Sequence, residues 1–88
     1  MEVRPHTIRE YHICNNLVKV ANIRRKQYEN TVYHIKILKN KLTIAPTKKA
    51  KYKFRKNILK SKNRLVRLDH WFKSNEHDIR LCRVRYRL

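Results

Sequence analysis

The sequence predicts a mainly α protein: one or two long basic amphipathic helices, over about 8–44 and 48–73, packed as a helical hairpin, with an extended arginine-rich C-terminal tail or edge strand. Three observations carry that prediction. Apolar residues recur at helical spacing through most of the chain. Pro46 divides that pattern into two segments. The last residues switch to a two-residue alternation, the period of a strand.

The first element opens after Pro5 with Thr7-Ile8-Arg9-Glu10. A Thr followed three positions later by Glu is a capping box, in which each side chain satisfies the other's backbone amide. From there Ile8, Tyr11, Cys14, Val18, Ala21, Tyr28, Val32, Ile35, Leu38 and Leu42 form one helical stripe. Asn15-Asn16 and the basic stretch 22–26 are weak points, because Asn is a poor helix former and Arg24-Arg25 interrupts the stripe. A break or bend is expected at one of them.

Pro46 ends this segment, since its ring disfavours helical geometry at Ala45 and removes a donor. A turn at 45–48 follows, and Thr47 can cap a second helix. In that helix Phe54, Ile58, Leu65, Leu68 and Phe72 make one face, while Lys53, Lys56, Lys60, Arg64 and Arg67 make another. Ser74-Asn75 and the polar run to Asp78 read as a loop. Val84, Tyr86 and Leu88 then alternate with Arg83, Arg85 and Arg87, a single strand whose pairing partner would be another protein or RNA.

Composition bounds the function. The 88 residues make a single small domain, 1–88, with 24 Lys and Arg against 6 Asp and Glu, for a net charge of +18. A chain this short buries only about 60% of its unfolded surface, and its self-repulsion opposes folding alone. Yet 41% of it is hydrophobic, more than a disordered polybasic tail carries. It reads as a chain that folds against a polyanion. Glycine is absent, which excludes glycine-rich phosphate loops, nucleophile elbows and dinucleotide turns. No window approaches the roughly 18 apolar residues of a membrane span, and none resembles a secretory leader. Cys14 and Cys82 lie 68 positions apart with no metal-ligand spacing, and both are expected to be reduced, buried thiols. Abundant Lys, Asn, Ile and Tyr suggest an AT-rich coding sequence, as in an organellar genome or an AT-rich eukaryote. Glu2 and Glu10 are unlike a cleaved transit peptide, which is poor in acids.

The strongest local signal is the stretch 31–68, which holds 13 Lys or Arg and no Asp or Glu. Such a block cannot neutralise itself and calls for external phosphate; scattered charges, not an unbroken block, mark a merely solvated face. The candidate RNA-binding residues within it are Lys48, Lys49, Lys51, Tyr52, Lys53, Arg55, Lys56, Lys60, Lys62, Arg64 and Arg67, with Tyr52 and Phe54 placed to pack on sugars or bases. Arg80, Arg83, Arg85 and Arg87 are a second set, since guanidinium groups grip phosphate in pairs of hydrogen bonds; the alternative is an edge strand charged against aggregation. Trp71 and Phe72 read as closing a helical core, with a base-stacking platform or a partner anchor as the other uses. Asp69, Glu76 and Asp78 read as ion-paired with Arg67, Lys73 and Arg80, not as a catalytic pair. His6, His12, His34, His70 and His77 lack metal-ligand spacing, so no metal or other cofactor is expected.

These features resemble those of a small ribosomal protein. Within that class, Ile44-Ala45-Pro46, Ala50-Lys51-Tyr52 and Arg64-Leu65-Val66-Arg67-Leu68 are similar in order to the carboxyl-terminal helix of the bacterial small-subunit ribosomal protein eighteen family, over about a quarter of the chain. A looser likeness, in the placing of long basic helices, is to the small-subunit family fifteen. The resemblance implies a structural constituent of the ribosome, organellar by preference, without catalysis or small-molecule substrate. Such a protein neutralises rRNA phosphates and bridges rRNA helices, as a monomer within a large assembly whose partners are rRNA and neighbouring ribosomal proteins. The expected location is the mitochondrial ribosome, with the cytosolic ribosome as the alternative. Two other functions fit the residues. One is a small basic accessory subunit of an organellar membrane complex; the other is a DNA-binding module, in which Asn57 and Asn63 would read bases.

Overall fold

The computed structural model describes residues 8–88 and consists of two helices, α1 (Ile8–Ile44) and α2 (Lys48–Tyr86). At about 1.5 Å per residue, 37 and 39 residues give helices of roughly 55–60 Å. They lie antiparallel as a rod measuring 66 × 20 × 17 Å. The Thr7–Glu10 capping box begins outside the described residues.

The turn is local chemistry. α1 stops at Ile44, two residues before Pro46, and the Ala45 amide closes the last turn on the Leu42 carbonyl at 3.3 Å. Thr47 then takes an extended backbone, φ −123° and ψ 156°, and its hydroxyl accepts from the Ala50 amide at 3.1 Å. This is an N-cap, typically worth about 1 kcal/mol. With only 45–47 between them, the helices must fold back on each other.

Their contact follows a seven-residue repeat. In α2, Phe54, Ile58, Ser61, Leu65, Leu68, Phe72, Asn75, Ile79, Cys82 and Tyr86 are buried or half-buried, spaced alternately four and three residues apart. In α1, Val18, Ala21, Thr31, Ile35 and Leu38 are buried. Alternating fours and threes are the signature of a two-stranded coiled coil, which keeps one seam facing its partner. A cluster of buried apolar side chains lies near the turn, where Ile35, Leu38 and Ile58 meet, flanked by Leu42, Phe54 and Leu65. Among the described residues no side chain is wholly enclosed, as expected where only two helices share a core.

Several expectations are corrected. α1 is continuous through Asn15-Asn16 and through 22–26, because packing overrides the small propensity losses there. The stripe is also shifted: Thr31 is 6% exposed and Val32 46%. Thr31 is tolerated at the seam because its hydroxyl donates to the Gln27 carbonyl at 2.7 Å. The stretch 74–78 is helix, not loop. Asn75 donates to the Trp71 carbonyl at 2.8 Å, and Arg80 reaches Glu76 one turn back. The tail is not a strand, since α2 runs to Tyr86. A strand would present Val84, Tyr86 and Leu88 together; the helix instead turns Tyr86 to the seam and leaves Val84 76% exposed.

Cys14 and Cys82 are joined in a disulfide, with Cα atoms 5.2 Å apart, and so are not reduced thiols. Spacing along the chain gives no hint of this. The antiparallel register brings residue 14 opposite residue 82, as it brings Tyr11 against Tyr86 with ring centres 5.4 Å apart. The turn closes one end of the rod, and the disulfide closes the other.

Candidate nucleic-acid interface

Folding turns the acid-free block into one end of the rod. Because the turn lies at 45–47, residues 31–44 of α1 and 48–68 of α2 run side by side from it. Thirteen cations therefore share a segment about 20–30 Å long. That is about one positive charge per 2 Å, close to the roughly 1.7 Å spacing of charge along a nucleic-acid duplex. Like charges at this density repel one another over a Debye length, about 8 Å. The described acids, Glu10, Glu29, Asp69, Glu76 and Asp78, all lie beyond this tip.

The residues expected to bind RNA divide accordingly. Lys48, Lys49, Tyr52, Lys53, Arg55, Lys56, Lys60, Lys62, Arg64 and Arg67 are exposed on the tip, and Lys51 is half-buried beside the turn. Tyr52 is 68% exposed and offers a ring among lysines, whereas Phe54 packs against the cluster of Ile35, Leu38 and Ile58 and does not. Lys36, Lys39 and Lys41 of α1 join the same tip. They were not among the candidates, because only the fold-back brings them beside α2.

The C-terminal arginines sit at the opposite end and do not form a free cationic tail. Arg80 pairs with Glu76 at 2.8 Å, and Arg83 donates across the hairpin to Asn22 at 3.2 Å. Asp69 pairs with Lys73 at 3.3 Å. Both ion pairs join residues one turn apart at exposed positions, a geometry that contributes a few tenths of a kcal/mol. Arg85 and Arg87 are exposed.

A second feature lies mid-rod. Between Ala21 and Ile35 on α1, and between Ile58 and Leu68 on α2, the seam carries Arg24, Thr31 and Ser61 in place of large apolar residues. A groove of about 740 Å³ opens there, lined by Arg24, Thr31, His34, Ser61, Arg64 and Arg67 among others. The Arg24 guanidinium lies over the Trp71 ring, 4.7 Å from its centre, a cation–π contact. Trp71 also meets Phe72 edge-on, ring centres 5.2 Å apart. Its ring thus packs within the hairpin. Sequence reasoning took Arg24 only as an interruption of the stripe; an arginine at a seam position was the available signal for the groove.

Among the described residues no group of three His, Cys, Asp or Glu side chains is placed to hold a metal ion. No described helix is long and apolar enough to cross a membrane. No protein-family model, curated protein or solved structure matches the chain.

Proposed function

We propose that the chain is a non-catalytic structural constituent of the ribosome, organellar by preference, that lays its cationic tip along rRNA phosphates and holds neighbouring RNA segments apart at a fixed spacing. The observation that carries this reading is the tip itself: 13 Lys and Arg from two helices with no acid among them. A rod with that charge density suits a backbone-lined groove or junction. Charge distributed around both helices, instead of along one recognition face, favours phosphate contact over base reading and so disfavours the DNA-binding module. The class resemblance to small ribosomal proteins supports the same reading.

The test is sedimentation. The tagged chain from its source cells should peak with one ribosomal subunit on a sucrose gradient, withstand moderate salt, and lose that peak after RNase. Sedimentation with membranes, unaffected by RNase, overturns the proposal.

One observation favours a second reading. Disulfides persist in oxidising compartments, whereas the cytosol keeps thiols reduced, and Cys14–Cys82 is a disulfide. An accessory subunit of an organellar membrane complex, its basic face resting on anionic lipid or acidic subunits, accommodates that bond directly. Binding to cardiolipin-containing vesicles at least as tight as binding to RNA would decide for it.

A further inference from the structure

The mid-rod groove is poorly explained as packing. A coiled-coil seam gains stability from large apolar residues, and this one places Arg24, Thr31 and Ser61 where the groove opens. Arg64 and Arg67 flank it from α2, His34 from α1, and no acidic residue lines it. The Arg24 Nε is buried and meets no hydrogen-bond acceptor among the described residues. A buried donor left without a partner is destabilising, and an acceptor from outside the chain would remove that cost. Trp71 holds the Arg24 guanidinium in place by stacking on it.

Three guanidinium groups around an acid-free groove select a phosphate, which they grip in pairs of hydrogen bonds. The groove, at about 740 Å³, also has room for more than a phosphate alone. The rod is only 20 Å across, so a groove in one face is too narrow to admit a duplex. An unpaired nucleotide does fit this description, and unpaired nucleotides are the parts of RNA that side chains can surround.

We propose that the groove seats one unpaired nucleotide of the bound RNA, its phosphate held by Arg24, Arg64 and Arg67 and its polar edges met by His34, Ser61 and Asn30, which also lines the groove. This rests on the RNA-binding reading and deepens it. The lysine tip supplies backbone attraction without regard to structure; the groove makes the hairpin prefer a bulge or loop to an uninterrupted duplex.

The chain provides its own reporter, because Trp71 is the single tryptophan and lies against Arg24. The disulfide-bonded protein is titrated with a blunt RNA duplex and with the same duplex carrying a one-nucleotide bulge, reading fluorescence anisotropy of the RNA and Trp71 emission. The bulged duplex should bind about tenfold tighter and alone change Trp71 emission. R64Q/R67Q, at exposed positions that leave Trp71 and Arg24 in place, should lose the preference. K48Q/K49Q, with the same charge removed at the tip, should weaken both duplexes alike and keep it. Equal affinity of the unaltered protein for both duplexes overturns the groove proposal while leaving RNA binding intact, as does a preference that survives in R64Q/R67Q. No binding to either duplex overturns the RNA reading and this inference together.

Discussion

Reducing the Cys14–Cys82 bond should lower the stability of the hairpin by about 4 kcal/mol. The figure comes from the chain between the cysteines, which are separated by 68 positions. In the chain-entropy treatment a cross-link removes about 2.1 + 1.5R ln n cal/mol/K from the unfolded state, which for this loop is roughly 15 cal/mol/K, or 4.4 kcal/mol at 25 °C. The loss is large relative to the usual 5–15 kcal/mol of a folded domain. It falls on a chain with a thin seam and a charge of +18. It should also be uneven. The apolar cluster of Ile35, Leu38 and Ile58 sits near the turn, so after reduction the ends around Cys14 and Cys82 should open first, with faster amide exchange than the turn half. The assay is urea denaturation followed by far-ultraviolet circular dichroism, with and without a thiol reductant, and Cys82→Ser as the permanent counterpart. For an m-value near 1 kcal/mol/M the midpoint should fall by roughly 4 M, which can leave the reduced chain partly unfolded before urea is added. A difference below about 1 kcal/mol between oxidised and reduced protein, or two reactive thiols in the non-reduced chain, would refute the reasoning.

Two further substitutions test the packing and the helix end. Leu38→Ala, at a position 5% exposed in the main cluster, should destabilise by about 2–3 kcal/mol, toward the low end for a buried leucine because a two-helix seam can collapse or admit water; a loss under about 0.5 kcal/mol in chemical denaturation would place Leu38 outside the core. Arg87 ends α2 in the left-handed region, φ 52° and ψ 40°, where a side chain costs about 1 kcal/mol and glycine does not. Arg87→Gly should therefore raise stability by up to about 1 kcal/mol and the melting temperature by a few degrees, and an unchanged or lower melting temperature would show that the cap is not formed.

The helices, the turn and the cationic block could all be read from the residues. Helical periodicity, the stop at Pro46 and the cap at Thr47 are set by neighbours a few positions away in the chain, and the acid-free stretch 31–68 is composition. That reasoning failed where local signals are weak. Six residues of alternating arginines resembled a strand, yet Ile79, Cys82 and Tyr86 continue the heptad seam, and packing across the hairpin prevails over two-residue alternation. The polar run 74–78 looked like a loop because its hydrogen bonds to the preceding turn, such as Asn75 to Trp71, leave no mark in composition.

The sequence by itself determined that long basic helical segments flank a capped turn, with positive charge concentrated around that turn, because each of these follows from propensity, sterics or charge within a few residues. Only the tertiary structure decided that Cys14 meets Cys82, that Thr31 and not Val32 enters the seam, and that Arg24, Arg64 and Arg67 surround one groove. The physical reason is register. Which residues face each other across the hairpin depends on how two helices of 37 and 39 residues slide and rotate against one another. That setting is the joint result of the whole seam and of one covalent bond, and no short stretch of sequence carries it.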